Sequence, residues 1–164
     1  MTPIRKTLLI FSAVAATVAI GASQQLATKK ALTLDVAKRI AAAAEAEALK
    51  NKWTMFICVV DDSGTPLFVE RIDETQLGSF EVSIDKARTA VFFKRPTKAL
   101  EDAVAGGRNV VLRLPGLPIE GGIPIMADGK VIGAVGVSGG TSPQDAQVAQ
   151  AGITAVEGIL KGGR

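Results

Sequence analysis

Histidine and tyrosine are absent from this 164-residue chain, and cysteine occurs once. Without an imidazole there is no Ser-His-Asp or Cys-His relay, no ordinary zinc site and no histidine-ligated haem. The single thiol, Cys58, has no partner for a disulfide within the chain. It sits in the apolar run WTMFICVV, which points to a buried, inert thiol rather than a nucleophile. Aromatic residues make up 4% of the chain and no phosphate-tracking Lys/Arg cluster occurs, so nucleic acid is not an expected partner. No cluster of metal-ligating residues stands out either, and no metal is expected.

What is present begins with a basic, then apolar, start. Arg5 and Lys6 precede an apolar run from Leu8 to Ala22, and small residues follow at Gly21, Ala22 and Ser23. This is the pattern of a secretory signal peptide over residues 1–23, cut after Gly21 or Ser23. The run is shorter than the roughly 20 apolar residues a spanning helix needs, although an uncleaved anchor is the alternative. Without Arg5 and Lys6 the 19 basic residues become 17 against 16 acidic, so the formal charge falls from +3 to about +1. The expectation is an exported protein, periplasmic where the organism has a periplasm, with no membrane attachment after cleavage. Residues 24–164 are long enough for one domain with a core and too short for two.

Periodicity gives the element order α-β-β-α-α-β-β-β-α. A helix opens after Thr33 and ends near Asn51. Strands from Trp53 to Val60 and from Thr65 to Arg71 flank the turn Asp61-Asp62-Ser63-Gly64. A helix from Ser79 is stopped by Pro96, and a shorter one from Thr97 ends before Gly106-Gly107. Val110 to Leu114 reads as a short strand. Two more strands, Gly121–Ala127 and Lys130–Ser138, are joined by Asp128-Gly129 as a type I′ turn. The last helix starts at Ser142, with Pro143 at the first helical position and Asp145, three after the cap, as the carboxylate of a capping box, and runs to about Leu160. The fold class is α+β, a five-stranded antiparallel sheet with packed helices.

The stretch GGIPIMADGKVIGAVGVSGGTSPQD, residues 121–145, is the most suggestive in the chain. Its hairpin brings Gly121 and Gly122 to the same open end as Ser138, Gly139, Gly140 and Thr141. Glycines there leave backbone that a carboxylate or phosphate can approach, beside the positive end of the following helix. Alternatively, the glycines only make the turn. Glu120, Arg113 and Thr141 are polar neighbours. Lys86 shares a helix face with Val82, Ala90 and Phe93. It either snorkels to solvent, pairs with an acid such as Glu70, or acts as a base or anion clamp.

The run GGIPIMADGKVIGAVGVSGGTSPQDAQVAQAG resembles the C-terminal signature of the haem-degrading/GlcG family, which includes HbpS-like proteins and the C-terminal domain of the PduO proteins. SIDKARTAVFF (83–93) and VVDDSGTPLFVER (59–71) are similar to its central helix and first hairpin. The resemblance covers Leu32 to Leu160. It implies a profilin-like or roadblock-like α/β sandwich, homo-oligomers, and haem or corrinoid-related roles, and it also marks Lys86. Haem is therefore a possible cofactor, but without histidine or tyrosine an axial ligand must come from Met55, Met126, Cys58, a lysine or a hydroxyl.

Three readings follow. One is an exported protein that binds a small molecule, either haem or another tetrapyrrole or a small organic acid, through Lys86, Gly121, Gly122, Ser138, Gly139, Gly140 and Thr141. Another is a small metal-independent enzyme acting on an organic acid, with Lys86 as base or clamp. A third is a structural subunit of a homo-oligomer.

Overall fold

The computed structural model describes residues 26–162. The expected signal peptide, residues 1–23, lies outside them. Helix α1 (Leu34–Lys50) opens with the Thr33 hydroxyl accepting the Val36 N–H. Strands β1 (Phe56–Asp61) and β2 (Pro66–Arg71) form the first hairpin. Asp61 closes its turn by accepting the Ser63 and Thr65 N–H groups, at 2.8 and 3.0 Å. Helix α2 (Ser79–Phe93), helix α3 (Lys98–Ala105) and a 3-10 turn (Asn109–Arg113) follow. Strands β3 (Gly122–Ala127) and β4 (Lys130–Ser138), then helices α4 (Ser142–Ala155) and α5 (Glu157–Leu160), complete the chain.

The sheet has four strands in the order β2-β1-β4-β3, every neighbouring pair antiparallel. The expected fifth strand, Val110–Leu114, is instead the 3-10 turn. Val111 and Leu114 donate their N–H groups to carbonyls three residues back, so the segment satisfies itself locally and pairs with no strand. The Thr89 hydroxyl, accepting the Leu117 N–H at 2.8 Å, ties the chain that follows to α2. Val110, Leu112 and Leu114 remain exposed. The last helix is also interrupted, at Val156, where α4 gives way to α5. The Asp128-Gly129 turn is type I′ as expected, with both residues at positive φ.

The sheet is covered on both sides. Ile57, Val59, Val135 and Val137 point to one face and pack against Ile40, Ala41 and Ala44 of α1 and Val148 and Ala149 of α4. Cys58, Val60 and Ala134 point to the other, against Ile84, Ala87 and Ala90 of α2. Because β1 is buried on both faces, FICVV is a continuous apolar run rather than an alternating one. The α2 face is lined by small residues, and the helix lies almost on the sheet backbone. A Cβ added to Gly136 would sit 2.0 Å from the Ser83 carbonyl oxygen, and one on Gly122 would sit 2.2 Å from that of Lys86. No side chain fits between the two layers at either position.

Candidate functional site

The close approach of α2 determines what its polar residues can reach. Lys86 lies three residues after Ser83 on the face turned to the sheet, so its side chain enters the interface and is 2% exposed. It emerges beside the end of β4 and the first turn of α4. There the ammonium donates to the Asp145 carboxylate at 2.6 Å and to the Val137 carbonyl at 3.1 Å. The second Asp145 oxygen accepts the Gly140 N–H at 3.0 Å. Asp145 is 3% exposed. Burial pushes its carboxyl up from the ordinary value, and Lys86, followed by the Gly140 and Gly139 N–H groups, pulls it back toward ionisation.

This arrangement corrects two expectations. Lys86 pairs with Asp145, not with Glu70. Asp145 is no cap for Ser142: the N-cap is Thr141, whose N–H donates to the Gln144 side chain at 2.9 Å. The signal was in the sequence, because Thr141-Ser142-Pro143-Gln144 is itself a T-x-x-Q capping box, which leaves Asp145 free to turn inward.

The open end of the β3–β4 hairpin does gather Lys86, Gly121, Gly122, Ser138, Gly139 and Gly140, but it is filled by the protein's own atoms. A Cβ on Gly121 would meet the Lys86 ammonium nitrogen at 2.9 Å and the Asp145 Cβ at 2.8 Å. One on Gly139 would meet the Thr54 carbonyl oxygen at 2.3 Å, and one on Gly140 the Met55 methyl at 2.7 Å. The hairpin floor therefore lies beneath α2 and the Thr54–Met55 segment that leads into β1 rather than open to a ligand. Ser138 is buried, whereas Gly140 and Thr141 are exposed with their N–H groups already bonded to Asp145 and Gln144. Of the polar neighbours, Glu120 bonds through its N–H to the Glu101 carboxylate and Arg113 is exposed on the 3-10 turn. Thr97, expected only to cap the short helix, makes no side-chain cap; it is fully buried, and its hydroxyl accepts the Gly122 N–H at 2.9 Å and anchors the start of β3.

The other end of the α2 face is different. Where α2 stops, a cavity of about 530 Å³ opens against the two hairpin turns, lined by Lys29, Asp62, Val91, Lys94, Met126 and Lys130 among others. Lys29 pairs with Asp62. Lys130 donates to the Thr28 carbonyl at 3.0 Å. Among the described residues, neither Lys94 nor Lys130 meets a carboxylate. Cys58, by contrast, is fully buried, and burial pushes its thiol up to about 12, so it is neither nucleophile nor ready ligand. No group of three or more metal-ligating side chains occurs among the described residues.

The family described as haem-degrading protein HbpS-like matches residues 32–154. The chain belongs to this HbpS-like family. It is 45% identical to protein GlcG of Escherichia coli K12 over 112 residues, 68% of this chain and 84% of that protein. Among solved structures, a double mutant of Streptomyces reticuli HbpS superposes with a TM-score of 0.74 at 31% identity, covering 88% of this chain and 99% of that one. A PduOC:haem complex superposes with a TM-score of 0.71 at 31% identity, covering 77% and 95%.

As a buried pair in the HbpS-like fold, Lys86 and Asp145 are expected to stand or fall together. Lys86→Met should cost about 3–5 kcal/mol in urea unfolding, because it strands a buried carboxylate, and Lys86→Met/Asp145→Leu should recover much of that loss. A single variant as stable as the wild type would show that the pair is not closed in solution.

Proposed function

We propose that the protein is an exported small-ligand-binding member of the HbpS-like family, taking haem or another tetrapyrrole, with a small organic acid as the alternative ligand. The observation that carries binding over catalysis is the state of Lys86. Its ammonium is sealed from solvent and neutralised by Asp145, so it offers neither a free base nor a spare charge to a substrate. Support for the ligand class comes from a relative solved as a haem complex and from the family's description. Export rests on the basic and apolar character of residues 1–23. Self-association belongs to the same proposal and is supported by the exposed apolar residues Val110, Leu112, Leu114 and Ile119; a light-scattering mass equal to that of one chain would count against it.

The binding reading is tested by titrating the protein with haemin and following the Soret band. A saturable shift is expected, with a gain in unfolding free energy of about 2.7 kcal/mol when free ligand reaches a hundred times Kd. Without a shift, a thermal screen of small organic acids decides the alternative. No stabilisation by any of them would remove the proposal.

A further inference from the structure

We propose that the cavity where α2 ends binds a small hydrophilic polycarboxylate, an organic acid with two or three carboxylates, between the ammonium groups of Lys94 and Lys130. This rests on the organic-acid arm of the binding reading and is independent of tetrapyrrole binding.

The lining decides the ligand class. Three lysines (Lys29, Lys94 and Lys130) stand against one acid (Asp62), which leaves an excess of two positive charges. Lys29 and Asp62 pair with one another, so the excess resides on Lys94 and Lys130. Among the described residues no aromatic side chain lines the cavity, and Val91 is buried, so a flat apolar ring finds nothing to stack on. Like charges gathered in one concavity raise the local concentration of counter-ions, and a ligand carrying two negative groups satisfies both lysines at once. A volume of about 530 Å³ has room for such a ligand and exceeds what a single carboxylate fills. Phosphate sites favour a helix N-terminus or a nest of backbone N–H groups. The helix that ends here presents its C-terminus, whose partial negative charge opposes a compact multiply charged group more than carboxylates spread along a skeleton.

Neither ammonium is consumed by the fold. Lys94 is the C-cap of α2, where a cation ordinarily meets the last helix carbonyls. Here the Ala90 and Val91 carbonyls are taken by the backbone N–H groups of Lys94 and Arg95. With no carboxylate partner among the described residues, the Lys94 side chain lines the cavity instead. It does so from φ 51, the left-handed conformation that glycine adopts with less strain, so the backbone does not ask for a lysine at this position. Lys130, the first residue of β4, donates one N–H to the Thr28 carbonyl at 3.0 Å. That bond holds the ammonium in place and leaves two N–H groups for a ligand. A Cβ on the turn residue Gly129 would meet nothing within 4 Å, so the approach past the hairpin is uncrowded. The packed glycine-rich end has no comparable space, and its charges are already paired.

The test is calorimetric titration of the full chain with succinate, citrate, acetate and pyrophosphate. Wild type is compared with Lys94→Gly, Lys130→Gln, Asp62→Asn and, as a charge-matched control on α1, Lys38→Ala. Wild type should bind succinate or citrate about tenfold or more tightly than acetate, which meets only one ammonium, and added sodium chloride should weaken that binding. Lys94→Gly and Lys130→Gln should each weaken it about tenfold, as expected for loss of a charge-assisted hydrogen bond, and Lys38→Ala should match wild type. Asp62→Asn releases Lys29 and should tighten binding several-fold. Ligand-free Lys94→Gly should melt no lower than wild type, because glycine suits that backbone; a lower melting temperature would make Lys94 a structural residue and overturn its role. Polycarboxylate binding that neither lysine variant alters, or that Asp62→Asn weakens, overturns the site. Pyrophosphate bound more tightly than either polycarboxylate overturns the ligand class. No binding of succinate or citrate by wild type overturns the proposal outright, while a haemin titration of the same sample reports on tetrapyrrole binding separately.

Discussion

The ion pair between Lys86 and Asp145 joins the two sides of the sheet. Lys86 belongs to α2 on one face, Asp145 to α4 on the other, and their contact passes round the end of β4 through the Val137 carbonyl and the Gly140 N–H. Two buried charges are tolerable only when each meets its opposite and the remaining hydrogen-bonding positions are filled. That requirement fixes the height of α2 over the sheet, the turn of the chain at Gly139-Gly140 and the first turn of α4. The glycines follow from it. Gly122 and Gly136 let α2 settle onto backbone, and Gly121 leaves room for the ammonium itself.

The consequence for function is a molecule with two unlike ends beneath one helix. At the end where Lys86 emerges, the polar groups are consumed by one another and the space is occupied. At the end where α2 stops at Lys94, charge is unspent, a thioether reaches solvent and the cavity stays open. Charged groups that satisfy one another stabilise architecture; those left facing a cavity are available to a ligand. The lysine that stands out most in the sequence is thus the one held in a buried ion pair with Asp145.

Much of the fold was legible in the residues. Asp128-Gly129 demanded positive φ at both positions and forms the type I′ turn, and the apolar run after Trp53 marked the strand β1, whose cover on both faces only the structure showed. Val110–Leu114 misled because β-branched residues favour strands only when a strand is there to pair with, and here the segment bonds to itself. Lys86 stood out correctly on an apolar helix face, but its partner lies 59 residues away and no local pattern links them. The glycine-rich end was recognised as a place where something approaches the backbone closely. A missing Cβ cannot tell whether that something is a ligand or the protein's own helix, and here it is the helix. The cavity at the other end was invisible in sequence because Lys94, Met126 and Lys130 come together only when α2 and the β3–β4 hairpin are superposed.

The most direct test of the clamp is to observe the Lys86 side chain itself by nitrogen-detected NMR at neutral pH. The account predicts a protonated ammonium whose hydrogens exchange slowly with water and couple magnetically to the α4 first turn, unlike every exposed lysine. An ammonium exchanging as fast as that of Lys38, or a neutral amine, would contradict it and return Lys86 to the list of groups free to meet a ligand.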